Sequence, residues 1–132
     1  MRLLLSLLLV VAALIACRPP EDKKQTSGTV SSNGLQTRVE LDGEPKLGTV
    51  PVSVFILKDG EGVSGATVGI TGDMTHAGMV PVIADANETE AGLYRTNDFT
   101  FTMAGDWILT TDIELADGTK ETLETRVTVP GE

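Results

Sequence analysis

The sequence has very few of the residues on which most enzyme sites depend. It contains one cysteine and one histidine among 132 residues. A lone cysteine excludes a disulfide within the chain, and a lone histidine excludes the multi-histidine sites typical of zinc and Cu(II). No Ser–His–Asp arrangement, glycine-rich phosphate loop or pair of catalytic carboxylates stands out, so acid–base and nucleophilic catalysis lack their usual groups. We therefore expect that the protein is not an enzyme.

Aromatic residues and positive charges are also scarce. Aromatics make up 4% of the chain, and 19 acidic residues against 10 basic ones give a formal net charge of −9. A core poor in aromatics has to be built from Val, Ile, Leu and Thr, a mixture that favours strands over helices. The acidic charge argues against nucleic acid as a partner and against adhesion to anionic lipid by charge.

The N-terminus has the features of a bacterial lipoprotein signal. Met1 and Arg2 precede an almost unbroken apolar run over residues 3–16. This run is shorter than the roughly 20 residues that a membrane-spanning helix needs, and it has the length of a signal-peptide core. It ends in Leu-Ile-Ala-Cys, which looks like a lipobox, the motif where the cysteine is acylated and the chain is cut before it. We predict a signal peptide at 1–16 and lipidation of Cys17, which would place the protein in the bacterial cell envelope, outside the cytoplasm. The alternative is an ordinary secretory signal followed by a chance cysteine, and the sequence leaves open which membrane holds the anchor.

The rest of the chain divides into a tether and one domain. Residues 17–35 are rich in Pro, Ser, Gly and Lys without apolar periodicity, which predicts a flexible lipid-anchored tether. Residues 36–132 alternate short β-rich runs with turn signals, among them Gly72-Asp73, Asn87-Glu88 and Asp117-Gly118. About seven strands in this length predict an all-β, immunoglobulin-like antiparallel β-sandwich. The predicted strands are 37–41, 50–58, 66–71, 80–86, 92–97 continuing at 99–103, 106–115 and 121–129.

Four short motifs follow one another in the middle of the chain. They are Gly-Ala-Thr-Val at 65–68, a Met/His loop at 72–81, Gly-Leu-Tyr at 92–94 and Met-Ala-Gly-Asp-Trp at 103–107. In this order they resemble the YtkA-like/FixH-like domain family, and the resemblance covers about residues 48–116. It implies a small extracytoplasmic β-sandwich of a kind often found near copper handling or cytochrome oxidase assembly.

The Met/His loop suggests a metal site on its own chemistry. Met74, His76 and Met79 lie within six residues, and Met103 precedes the Trp107 corner. Thioethers are soft ligands that select Cu(I), and imidazole also accepts copper. The hypothesis is a Cu(I) site formed by Met74, His76, Met79 and Met103, with the Trp107 ring as a further candidate. Each residue also has an ordinary interpretation: Met103 as core filler, Trp107 as a packed corner residue, Met74 and Met79 as packing residues, and His76 as a polar surface residue.

The sequence thus supports two functions. The first is a membrane-anchored copper chaperone or reservoir that passes Cu(I) to a membrane partner. The second is a metal-free interaction module, or an accessory subunit of an envelope membrane complex. A calcium site among Asp85, Asn87, Glu88 and Glu90 is a weaker idea, because these residues lack the glycine and terminal glutamate of an EF-hand loop. We interpret them as a solvated acidic turn.

Overall fold

The computed structural model describes residues 26–30, 34–75 and 78–131. All regular structure in these residues is β, in eleven strands. None of the described residues belongs to a helix long and apolar enough to cross a membrane. The strands are β1 (Thr26–Val30), β2 (Leu35–Leu41), β3 (Gly48–Thr49), β4 (Val52–Lys58), β5 (Glu61–Gly62), β6 (Thr67–Met74), β7 (Val82–Glu90), β8 (Leu93–Thr96), β9 (Thr100–Phe101), β10 (Gly105–Glu114) and β11 (Lys120–Val129).

The strands form two antiparallel layers that share one long strand. One layer has the order β1-β2-β4-β8, with β5 beside β4, and the other has the order β6-β10-β11. Strand β7 belongs to both, since residues 82–86 pair with β6 and residues 87–90 pair with β8 through an irregular register at Glu88 and Glu90. Strand β1 lies against β11, so the two ends of the strand order approach each other. The predicted all-β antiparallel sandwich is confirmed, and from Leu35 onward seven of its strands have four or more residues.

Alternation along β10 places one face in the core. Trp107, Leu109, Thr111, Ile113 and Leu115 are all buried, as their period-two spacing predicts. The facing layer supplies Val39, Val54 and Ile56, which are fully buried. Three of the four largest side chains in the core, Trp107, Phe99 and Phe101, come from the segment between β8 and the start of β10.

The described strands begin before residue 36, where the predicted domain starts. Strand β1 falls inside the segment 17–35 that its composition predicts to be a tether, and it pairs with β2 from Thr26↔Glu40 to Val30↔Gln36. The folded domain therefore includes residues before 36. Composition misleads here because a strand at the margin of a sheet is held by backbone hydrogen bonds and does not need an apolar pattern. The predicted signal peptide and Cys17 lie outside the described residues.

Two predicted turns are strands. Gly72-Asp73 lies in β6, where a side chain at Gly72 would meet the ring of Phe99, so this glycine permits close packing and does not mark a turn. Asn87-Glu88 lies in β7 and pairs with Arg95 and Tyr94. The acidic residues of 85–90 are thus spread along a strand, and the predicted solvated acidic turn is wrong in its geometry.

The hairpin at Asp117-Gly118 forms as predicted, but with a different turn. Gly118 donates to the Leu115 carbonyl at 2.9 Å, and Leu115 donates to the Thr119 carbonyl at 2.8 Å. Gly118 has a φ of 89°, whereas Asp117 does not have the positive φ that a type I′ turn requires at both central positions. The Asp117 carboxylate instead accepts the Thr119 N–H at 2.9 Å.

Candidate functional site

Strand registers bring the candidate ligands to one end of the sandwich. Trp107 on β10 is opposite Met74, the last residue of β6, and also opposite Val127 near the end of β11. In the other layer, Val52 at the start of β4 is opposite Thr96 at the end of β8. The same end carries the β3–β9 pair. We call this the Trp107 end and define it by residues 42–51, 78–81 and 97–107 with the adjoining strand termini; the other end, at the β10–β11 hairpin and residues 59–66, is the hairpin end.

Trp107 is a packed residue at the mouth of the core. Its side chain is 1% exposed, and its ring meets Phe101 edge-on with centroids 5.4 Å apart. Phe101 in turn meets Phe99 edge-on at 5.1 Å. The buried indole N–H donates to the carbonyl oxygen of Met103 at 3.0 Å, so its polar atom is satisfied. This hydrogen bond fixes the segment before β10 against the start of the strand, and the interpretation of Trp107 as a packed corner residue is confirmed.

Met74 lies between the core and the start of β10. It is 7% exposed, and its terminal methyl group packs against Gly105 so closely that a Cβ there would lie 2.8 Å from it. Gly105 also has a φ of 133°, which side-chain-bearing residues rarely adopt. The thioether of Met74 is therefore held in place by the backbone of the segment that also carries Met103.

The other methionines are more open to solvent. Met103 is 44% exposed, although Phe99 and Phe101 before it are buried, so the interpretation of Met103 as core filler is wrong. The stripe ends because β9 stops at Phe101 and the chain turns toward Gly105. Met79 is partly buried and packs on the edge of the core. Met74, Met79 and Met103 thus share one end of the fold, and His76 lies outside the described residues.

A small polar cleft opens beside these residues. It has a volume of about 260 Å³ and lies between the ends of β6, β10 and β11. Thr75 donates its backbone N–H to the Asp106 carbonyl at 3.2 Å at one side of the cleft. The Asp106 carboxylate accepts a hydrogen bond from the Thr128 hydroxyl at 2.8 Å. The lining residues are Thr75, Asp106, Trp107, Arg126, Val127 and Thr128.

The donor set decides which metal this end suits. Within the described residues, no three His, Cys, Asp or Glu side chains gather in a way that could hold a metal ion. Thioethers suit Cu(I). Three of the four predicted ligands are methionines at the Trp107 end, so Cu(I) is the metal that fits these residues.

A second cluster of polar side chains lies at the hairpin end and was missed by sequence reasoning. The Tyr94 hydroxyl accepts the Ala66 N–H at 3.0 Å and lies 2.8 Å from the Val63 carbonyl and 3.0 Å from the Glu88 carboxylate, to either of which it can donate. Glu88 also accepts the Gly65 N–H at 2.9 Å. The signal was the motif Gly-Leu-Tyr, in which the tyrosine falls on a core-facing position but carries a polar atom that needs partners.

Hydrogen bonds and burial shift the pKa values of both ionisable groups in this cluster, Glu88 and Tyr94. The Gly65 N–H, followed by the Tyr94 hydroxyl, lowers the pKa of Glu88 below its usual 4.5 because both stabilise the ionised carboxylate. Burial is the largest effect on Tyr94 and raises the pKa of its hydroxyl. The pair ties β7 and β8 to the segment before β6, which indicates a structural role.

Comparison with known proteins agrees with this architecture. The sequence profile of the YtkA-like family matches residues 29–112, from within β1 to within β10. The fold is similar to the crystal structure of the PmoD soluble domain from Methylocystis sp. ATCC 49242 (Rockwell), with a TM-score of 0.53 and 11% identity, covering 78% of this chain and 96% of that one. At this identity the likeness concerns the fold alone. No curated protein matches the sequence. Since the family profile covers more than half of the chain, the protein belongs to the YtkA-like family.

Proposed function

We propose that this protein is a lipid-anchored module of the bacterial cell envelope that binds Cu(I) at the Trp107 end as a chaperone or reservoir. Family membership and the fold suggest an extracytoplasmic domain. The lipobox-like Leu-Ile-Ala-Cys sequence supports anchoring through Cys17. The observation that carries the copper proposal is the position of three methionines at one end of the fold, on both sides of His76 in the sequence.

The exposure of the three thioethers suits reversible binding. Met74 is buried and packs against Gly105, whereas Met103 is exposed to solvent and Met79 is partly buried. A fixed ligand combined with accessible ones permits a metal to enter and leave without opening the core. Methionine also remains a ligand at acid pH and in an oxidising compartment, where thiolates are protonated or oxidised.

A Cu(I) titration tests the proposal. We would use the mature chain with Cys17→Ser, because a free thiol would itself bind copper, and compete with a chromophoric Cu(I) chelator. One equivalent of Cu(I) should bind, and Met79→Leu, Met103→Leu or His76→Ala should each weaken it by at least about tenfold, a change of about 1.4 kcal/mol. Val80→Ala, which changes an exposed neighbour without removing a ligand atom, is the matched control.

Two results would contradict the proposal in different ways. Stoichiometric binding that persists in a triple variant with Met74→Leu, His76→Ala and Met79→Leu would refute the site. Absence of binding by the unmodified protein would refute the copper function itself. Leucine replaces Met74 because this side chain is buried and needs a similar volume.

The second candidate function is a metal-free interaction module or accessory subunit of an envelope complex. It is favoured by the exposure of large apolar side chains at the Trp107 end, since such residues often mark contact sites. Mild crosslinking in cells followed by purification should recover a stable membrane partner if this candidate is correct. A protein that recovers no partner and binds Cu(I) tightly would exclude it.

A further inference from the structure

The chain enters the fold at the Trp107 end. Strand β1 begins at Thr26, opposite Glu40 at the end of β2. Glu40 is opposite Ser53 near the start of β4, and Ser53 is opposite Arg95 near the end of β8. The strand termini that define the Trp107 end are thus also the ones beside which β1 starts. A lipid on Cys17 would therefore attach to the domain from this end.

The segment between the proposed lipid and the fold is short. Eight residues, 18–25, separate Cys17 from Thr26. If it were a flexible coil, a segment of this length would have a root-mean-square reach of roughly 15–18 Å, and in any conformation it cannot exceed about 30 Å. The domain itself is longer than this reach, because its ten-residue strands alone extend about 33 Å. At its mean reach such a tether holds the start of β1, and with it the Trp107 end, closer to the membrane surface than the length of the domain, which favours an orientation with this end toward the bilayer.

Exposed apolar side chains concentrate at the same end. Four large hydrophobic side chains are exposed within the described residues. All four lie at the Trp107 end or at the strand terminus beside it. They are Leu47 at 37%, Val80 at 83%, Ile83 at 74% and Met103 at 44% exposure. Exposed acidic residues occur at both ends, Asp59, Glu61 and Asp117 at the hairpin end and Glu44, Asp98 and Asp106 at the Trp107 end, so the exposed apolar side chains are what distinguishes the Trp107 end.

Charges at the Trp107 end are partly compensated. Arg95 Nη2 lies 2.7 Å from Asp42 Oδ2, which neutralises the acidic group beside β3. The net charge of −9 for the chain disfavours anionic lipid, so apolar contact with neutral headgroups is the favourable mode of attachment. The covalent anchor keeps the bilayer within reach of this surface at high effective concentration, so a small apolar area suffices for contact.

We propose that the Trp107 end faces the bilayer and rests on its interface through Leu47, Val80 and Met103. The proposal rests on the proposed lipid anchor at Cys17, but it is independent of copper binding. Its consequence for the proposed function is that metal bound at this end would be exchanged with a membrane-embedded partner, because the hairpin end alone would face the aqueous compartment.

Site-specific fluorescence on the full lipidated chain tests this orientation. Single cysteines introduced by Val80→Cys or Glu61→Cys are labelled with a fluorophore, since Cys17 is blocked by its lipid. The protein is reconstituted into phosphatidylcholine vesicles that carry a nitroxide quencher on the headgroup. We expect strong quenching at position 80 and little at position 61, because the two ends are about 33 Å apart.

A second pair of variants tests the apolar contact. A label introduced by Thr75→Cys reports on the Trp107 end while Val80→Asp places a charge in the proposed contact. Quenching at position 75 should fall with Val80→Asp and should not change with Ala116→Asp, which adds the same charge at the hairpin end. Unchanged quenching with Val80→Asp would overturn the contact.

The outcomes separate the two proposals. Equal quenching at positions 80 and 61, or stronger quenching at 61, would overturn the orientation even though the protein floats with the vesicles. Stronger quenching at position 80 than at position 61 in native membranes, but not in pure lipid vesicles, would also overturn the proposed contact with lipid. A membrane protein, rather than the bilayer, would then cover the Trp107 end. Failure of the unmodified chain to float with vesicles, as for Cys17→Ser, would refute the lipid anchor itself.

Discussion

The hydroxyl of Tyr94 lies 3.0 Å from a carboxylate oxygen of Glu88, six residues earlier in the chain and on the neighbouring strand. The same oxygen accepts the backbone N–H of Gly65 at 2.9 Å. Through these contacts the Glu88 carboxylate links β7 and β8 to the segment that precedes β6. The hairpin end is thereby fixed by polar contacts, whereas the Trp107 end is fixed by aromatic packing.

This cluster predicts a loss of stability in acid. The pKa of Glu88 is lower in the folded protein than its usual 4.5, so folding favours the ionised form. The stabilisation is complete above pH 4.5 and is lost as the pH falls through the lower folded pKa. Thermal unfolding measured between pH 7 and pH 3 should show a steeper decline for the unmodified protein than for Glu88→Gln. Glu90→Gln, an exposed carboxylate two residues along the same strand, should follow the unmodified protein; identical curves for Glu88→Gln would contradict the prediction.

The Tyr94 hydroxyl should contribute to stability through its own hydrogen bonds. Tyr94→Phe keeps the buried ring but removes the acceptor for the Ala66 N–H and the donor to Val63 or Glu88. Leaving such buried groups unpaired costs about 1–3 kcal/mol. Urea denaturation should show that loss in the free energy of unfolding. The double variant with Glu88→Gln should lose less than the sum of the single variants, because the two residues share a hydrogen bond; full additivity would show that they do not interact.

Two glycines of β6 should respond in opposite ways to alanine. A Cβ at Gly72 would lie 2.5 Å from Phe99 Cζ and 3.3 Å from Leu109 Cδ2, so Gly72→Ala should destabilise the protein by about 1–3 kcal/mol through overpacking. At Gly69 a Cβ would have only Asp85 Oδ1 nearby, at 3.9 Å. Gly69→Ala should be neutral or stabilising by a few tenths of a kcal/mol, since alanine loses less backbone entropy than glycine. Denaturant midpoints measure both, and an equal loss in the two variants would show that packing against Phe99 is not the cause.

A buried threonine should be better replaced by valine. The Thr111 side chain is fully buried in the core face of β10, and its hydroxyl has no hydrogen-bond partner among the described residues. Valine has nearly the same shape without the buried polar atom, so Thr111→Val should raise the free energy of unfolding by about 1 kcal/mol. Thr96→Val is the control, because the Thr96 hydroxyl accepts the Asp98 N–H at 3.3 Å and its loss should destabilise. A destabilised Thr111→Val variant would indicate a bound water at this hydroxyl.

Local sequence patterns predicted the candidate site only in part. They identified Trp107 as a packed corner residue because large aromatic residues usually anchor sandwiches of this kind. They placed Met103 in the core, at the end of the Phe99-Phe101 stripe, and Met74 in a loop, whereas the structure buries Met74 and exposes Met103. Only the end of β9 at Phe101 leaves Met103 in solvent, and only the pairing of Met74 with Trp107 buries Met74. They also missed Tyr94 and Glu88, whose contact depends on how β7 pairs with β8.

The sequence by itself determined the fold class, the core face of β10 and membership in the YtkA-like family, because these depend on period-two alternation and on short motifs that are local in the chain. Tertiary structure decided where the first strand begins, why residue 72 is a glycine and which end of the sandwich carries the methionines. Each of these is a relation between separate segments of the chain: β1 is recognisable only by its pairing with β2, and the packing role of Gly72 only by the ring of Phe99 beside it. The strand registers also place the start of β1 and the exposed Val80 and Met103 at the same end, a relation that no local pattern contains.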